Sequence, residues 1–178
     1  MDAGGLPRRL HHNAFVVRNQ IATRRFYEEL VGLPLVATWT EVDELFGAER
    51  SYCHTFYGLA DGSALAFFQF ADDADYQRFG PQFRPSPFIH IALVVDDATQ
   101  QAVRERFAAA GEGHHTVDHG YCVSLYVTDP DGLIVELTRD HPQVEAITAE
   151  RRRTAADDLE RWMSGNRSSN NSYRAASG

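Results

Sequence analysis

"HNAFVVRN", His12 to Asn19, and "HIALVVDD", His90 to Asp97, are near copies of one another. Each opens on histidine, carries alanine third and two valines fifth and sixth, and closes on a small polar residue. Alternating side chains over five or six residues is the period of a strand, so each copy reads as a strand delivering the chain to a turn. Both strands lead into helices. Asn19 can cap a helix with the stripe Ala22, Phe26 and Leu30 before Gly32, and Asp97 can cap one with Val103, Phe107 and Ala110 before Gly111.

The parallel continues outward. "YCHTFYGLADG" from Tyr52 matches "YCVSLYVTDPDG" from Tyr121, each a strand entering an Asp-Gly turn. The return strands are "SALAFFQF" from Ser63 and "LIVELTR" from Leu133. Each half therefore reads strand, helix, three strands. A period of about half the chain means a duplicated module rather than a solenoid. The fold class predicted is α+β, two paired βαβββ modules in one domain over residues 1–142. Module one occupies about 10–70 and module two 87–140. Between them 71–86, with "ADDADYQRFGPQFRPSP", reads as a connecting loop. A helix is expected over 143–164, with Ile147, Leu159 and Trp162 available for docking, and the polar stretch 165–178 as a disordered tail.

Composition narrows the classes of function. The 178 residues carry a net charge of −8, which makes nucleic acid and anionic membranes unfavourable partners. Two cysteines are too few for a disulfide scaffold, and "MDAGGLPRRLHH" has no apolar run of the export type. No stretch approaches the roughly 20 apolar residues of a membrane span. A protein of the reducing cytoplasm is the expectation.

The strand "LIVELTR" holds a carboxylate, Glu136, among aliphatic residues, and a buried carboxylate calls for partners. By parity Glu136 points with Ile134 and Thr138, His90 with Ala92 and Val94, and His12 with Ala14 and Val16. The repeat selects His12 over His11 as the partner of His90. Two imidazoles at equivalent first strands plus one carboxylate form the two-histidine, one-carboxylate set that leaves coordination positions open. Each of these residues alone is more simply a structural histidine or an ion pair, such as Glu136 with Arg139. Their joint placement favours metal ligation.

Matching Tyr57 to Tyr126 puts Phe67 at the place of Glu136, so three ligands remain, and Gln69 is a candidate weak fourth ligand or substrate contact. Phe67 is a candidate apolar wall for substrate. Cys122, Ser124 and Tyr126 share one face, and Cys53 is read onto the same face as Cys122. His54 is expected to point away from it with Phe56, and His114 and His115 to face solvent.

Together these residues resemble the vicinal oxygen chelate superfamily of glyoxalases, bleomycin-resistance proteins, epimerases and type I extradiol dioxygenases. The resemblance runs from His12 to about Arg139 and implies paired modules forming an open, cup-shaped sheet around a divalent metal. "FYEELVGLPL", Phe26 to Leu35, is similar to the family's usual helix ending. "VDHGYCVSLYVTDPDGLIVE", Val117 to Glu136, is similar to the extradiol pattern of histidine, Leu-Tyr, Asp-Pro, Gly and glutamate.

That resemblance implies Fe(II) held by His12, His90 and Glu136, with Mn(II), Ni(II) or Zn(II) as alternatives. It implies a catechol-like substrate and O2, Tyr126 bonding a substrate oxygen, and His119 steadying substrate or the opening ring. Ser63 stands where those enzymes commonly have a further acid-base histidine. The resemblance also implies a homodimer, with the helix after Pro142 as a candidate interface. A metal-dependent lyase, isomerase or epimerase working through an enediolate, and a metal-free binding protein of the bleomycin-resistance kind, are the alternatives the family offers.

Overall fold

The computed structural model describes residues 7–80 and 86–174. It divides into two compact units, Met1–Phe88 with Asp129–Leu133, and Ile89–Thr128 with Ile134–Gly178.

In the first unit, β1 (His12–Val16) leads into α1 (Gln20–Arg24), followed by β2 (Leu35–Leu45), β3 (Ala48–Gly58) and β4 (Ala64–Phe70). The sheet order is β1-β4-β3-β2, with β1 parallel to β4 and the other pairs antiparallel. Asn19 starts the helix as expected: its side-chain oxygen accepts from the Ile21 and Ala22 amides. After Arg24 the chain widens into a π-helical run, Arg25–Val31, ended by Gly32 at φ 95°. The wide turn presents Phe26, Tyr27, Leu30 and Val31, two adjacent pairs, to the core, where all four are buried. They meet the β-face carrying Phe15, Val17, Tyr57, Leu65 and Phe67; the Tyr27 and Phe67 ring centroids are 4.4 Å apart. Tyr27 is fully buried and donates its hydroxyl to Asp129 at 3.0 Å; Asp129 also accepts the Asp131 and Leu133 amides. Burial raises the Tyr27 pKa well above its ordinary value and raises the Asp129 carboxyl as well.

The second unit repeats the plan with β5 (His90–Val94), α3 (Asp97–Ala110), β6 (His114–Asp118), β7 (Cys122–Thr128) and β8 (Ile134–Asp140), in the order β5-β8-β7-β6. Val103 and Phe107 of α3 are buried, as are Leu125, Val127, Val135 and Leu137 of the sheet. One glutamine per unit pins helix to sheet. Gln20 donates to the Phe67 carbonyl at 2.9 Å, and Gln100, 2% exposed, donates to the Leu137 carbonyl at 2.7 Å and that of Val123 at 2.9 Å. A buried amide that bonds the central strands' carbonyls is satisfied without water.

The structure corrects several expectations. The cap of α3 is Asp96, whose carboxylate accepts the Thr99 amide; Asp97 is already inside the helix, and Ala110 is exposed. The connecting segment is not all loop. Asp72 caps a short helix, α2 (Asp73–Phe79), while residues 81–85 lie outside the described residues. The last helix, α4, spans Val144–Met163 and buries Ile147, but Leu159 and Trp162 are 61% and 53% exposed. The polar tail, described to Arg174, is tied down: Tyr173 donates its hydroxyl to Glu150 of α4 at 2.8 Å. Residues 175–178 lie outside the described part. No helix among the described residues is long and apolar enough to cross a membrane.

Candidate metal and substrate site

In the second unit the register places Glu136 between Ala92 on β5 and Tyr126 on β7, with Ser124 opposite Thr138, Cys122 opposite Asp140 and His115 opposite Tyr126. The side chains of His90, Glu136, Tyr126, Ser124 and Cys122 therefore share one face, as parity predicts, and Val135 and Leu137 take the helix side.

Glu136 is only 7% exposed. Its Oε1 accepts the fully buried Ser124 hydroxyl at 2.5 Å, and its Oε2 lies 2.9 Å from His90 Nε2. The carboxylate thus has its partners, an aligned hydroxyl on one oxygen and an imidazole on the other. Arg139 is not among them: it pairs with Asp97 at 2.6 Å. Tyr126 follows Glu136 closely. Burial, then the Glu136 charge, raises the phenol's pKa, so it keeps its proton at neutral pH. His119 Nε2 lies 2.9 Å from the Tyr126 hydroxyl, and the Cys122 thiol 3.8 Å from that of Ser124. His115 is exposed, as expected, and also stacks on the Tyr126 ring at 5.0 Å.

In the first unit His12 Nδ1 is 2.7 Å from His11 Nδ1. The His12 ring is 5.3 Å from that of Phe56 and 6.0 Å from that of His54. His54, expected to point away, lies on the His12 face and stacks on Phe68 at 3.6 Å. Burial and, second, His12 lower its pKa to about 4, so the imidazole is neutral at pH 7.

Three candidates move to the opposite face. Phe67 is fully buried against Tyr27 and is a core residue. Gln69 accepts the Gln20 amide at 2.6 Å, which occupies it at the start of α1. Cys53, paired with Gln69, also lies on the helix side and so does not share the face that Cys122 has in its own sheet. The cause is one residue of register. The Leu59–Gly62 and Asp129–Gly132 turns make the same two backbone bonds, which aligns Asp61-Gly62 with Asp131-Gly132. Counted from there, Phe56 matches Tyr126, His54 matches Ser124 and Ala66 matches Glu136. Matching the two Tyr-Cys pairs instead, one residue off, hid His54 and gave Phe67 a role that Ala66's position holds. Ser63 is 4% exposed and gives its hydroxyl to Asp61 at 2.5 Å within the turn.

Among the described residues no group of three or more His, Cys, Asp or Glu is placed to hold a metal ion. His12 belongs to the first unit, His90 and Glu136 to the second.

Against known families, residues 9–137 match the glyoxalase/bleomycin resistance protein/dioxygenase superfamily. The chain belongs to that superfamily. Members of known structure share its fold. A glyoxylase/bleomycin resistance protein/dioxygenase domain from Frankia sp. EAN1pec is 19% identical, with TM-score 0.57 over 78% of this chain and 95% of that one. The fosfomycin resistance protein FosX from Listeria monocytogenes is 18% identical, with TM-score 0.56 over 78% and 98%. Lactoylglutathione lyase from Agrobacterium tumefaciens is 22% identical, with TM-score 0.51 over 75% and 94%. At these identities the likeness establishes the superfamily fold and leaves the chemistry to the site. No curated protein matches the chain.

Proposed function

We propose that this superfamily member is a divalent-metal dioxygenase that opens a catechol-like ring with O2, and that Fe(II) is its metal. The observation that carries the reading is the 2.9 Å contact between His119 and Tyr126 on the face that holds Glu136, two proton-handling groups beside a carboxylate ligand.

Two of the three proposed donors suit such an ion. Glu136 is aimed at His90 by Ser124, and an imidazole and a carboxylate at 2.9 Å are a pair that one divalent cation can share. His12 is assigned as the third ligand from its repeat position. When bound, the metal supplies the redox chemistry and the open positions that a catecholate and dioxygen need. Tyr126, kept neutral, donates to a substrate oxygen, while His119 holds the phenol and can take or return the proton. Cys122 continues the wall on this face, and the fully buried Ser124 serves the site through Glu136.

Ala66 at the fourth equivalent place and Gln69 bonded to Gln20 weigh against the four-ligand arrangement that the lyase, isomerase or epimerase alternative would favour. A FosX structure holds Mn(II) and 1S,2S-dihydroxypropylphosphonic acid. A phosphonate wants basic partners, whereas the described strands carry two arginines, both already paired, Arg50 with Asp75 at 2.7 Å and Arg139 with Asp97 at 2.6 Å. The reading includes a cytoplasmic protein that pairs with a second copy, which sedimentation will check.

Oxygen uptake by protein reconstituted anaerobically with Fe(II) tests the proposal across a panel of catechols. Uptake matched one to one by yellow ring-opened product, and lost in Glu136→Ala, is the expected result. Stoichiometric metal with no uptake for any catechol overturns it.

A further inference from the structure

His119 sits on a slender support. It belongs to the turn between β6 and β7, where its amide bonds the Cys122 carbonyl at 2.9 Å and the Gly120 amide bonds Asp118 at 2.7 Å. Gly120 adopts φ +81°, the left-handed region. Side-chain direction depends on backbone, so whatever fixes this turn fixes the His119 imidazole relative to the Tyr126 hydroxyl.

The outer side of the turn is clasped by the chain's own tail. Asn171 donates its side-chain amide to the His119 carbonyl at 2.9 Å. A Cβ built on Gly120 would stand 2.3 Å from the Tyr173 carbonyl carbon and 2.4 Å from the Arg174 nitrogen, so the tail backbone lies directly on the glycine. The tail is anchored in turn. Asn171 accepts the Tyr173 amide at 3.2 Å, and Tyr173 gives its hydroxyl to Glu150 of α4 at 2.8 Å.

We propose that Asn171–Tyr173 form a strap that positions His119 against Tyr126, with Asn171 as the positioning residue and Gly120 as the notch that receives the strap. The strap rests on the ring-cleavage reading in assigning His119 its work. It goes beyond that reading in giving the polar C-terminal segment a part in the site. Misplacement of a proton-handling group by about 1 Å is enough to cost on the order of 100-fold in rate, so a modest strap has a large lever.

The test uses the full-length chain labelled with 15N-histidine, the His119 Nε2 resonance being assigned by its loss in His119→Gln. Asn171→Asp removes the donor to the His119 carbonyl and keeps the acceptor for the Tyr173 amide. Tyr173→Phe releases the anchor on α4. In both, the His119 resonance is expected to move away from its wild-type position while those of His12 and His54 stay, with bound metal unchanged and kcat down about tenfold or more. Gly120→Ala should do the same, and if it fails to fold the other two variants decide. A His119 resonance unmoved in Asn171→Asp overturns the strap, even if ring cleavage is confirmed in the wild type. A moved resonance in protein that consumes no oxygen with any catechol upholds the strap and sinks the ring-cleavage reading.

Discussion

Replacing Ser124 by alanine isolates the hydroxyl that orients Glu136. Ser124 is fully buried and Glu136 only 7% exposed, so water has little access to take over the 2.5 Å bond; the Thr138 hydroxyl, 3.1 Å from that of Ser124, is a poor substitute. A hydrogen bond to a charged group contributes about 1.5–3 kcal/mol, and its loss here leaves a carboxylate oxygen unpaired in the interior. For a chain of this size each kcal/mol moves the thermal midpoint by about 2–4 °C, so chelator-treated Ser124→Ala should melt roughly 3–12 °C lower at pH 7. The same change frees the carboxylate to rotate, and partners that orient a ligand are worth about 10–100-fold in metal affinity. Scanning calorimetry of the metal-free protein and titration calorimetry with Fe(II) or Mn(II) read the two effects separately. A midpoint shift under about 1 °C would refute the claim that Ser124 satisfies Glu136. An unchanged metal affinity would refute the claim that Glu136 needs aiming.

The same geometry makes other outcomes testable. Burial raises the Asp129 carboxyl above its ordinary 3.8, so its protonated form stabilises the fold and that stability is lost as pH rises through the folded value. Asp129→Asn should therefore raise the thermal midpoint at pH 7, and the gain should vanish below about pH 4. His54 shows the opposite sign: its folded pKa near 4 lies below the ordinary 6.5, so its contribution is present above 6.5 and lost as pH falls towards 4. Urea unfolding of His54→Phe at pH 7 and at about pH 4.5 should show a smaller drop than the wild type. Phe67→Ala should cost about 3–5 kcal/mol of folding stability, as for any core phenylalanine, whereas Phe56→Ala, at a half-buried ring on the other face, should cost less. Equal stability losses for the two would contradict the assignment of their faces.

The sequence made the architecture legible because alternation and capping were repeated: one "HxAxVV" strand could be read in the light of the other, and α4 begins and ends within a residue of its expected limits. The face of the second sheet was legible too, since its parity is set by aliphatic residues that had to be buried. What failed was registration between the halves. A Tyr-Cys pair looks like a stronger match than Asp-Gly, yet the Asp-Gly turns fix the hairpins, and one residue of slip exchanges the faces of a strand. Phe67, Gln69, Cys53 and His54 all changed sides for that reason. The short α2 was missed because Gly80 and the prolines after it outweighed one Asx cap, and the tail's role was illegible because Asn171 and Tyr173 carry no periodic pattern.

The π-helical run in the first unit and the regular α3 in the second already show that the two copies have parted, and Ala66 shows how far. In the second copy the corresponding place holds a glutamate served by a serine; in the first it holds a fully buried alanine with Phe56 paired to it, and His54 standing where the serine would be. A mutation to glutamate at Ala66 would meet aromatic rings and no hydroxyl, and would be rejected by the fold before it could bind anything. Restoring the symmetry would need changes at Ala66 and His54 together, each harmful without the other. The divergence therefore divides the labour, one copy carrying the carboxylate and its serine and the other a packing of rings.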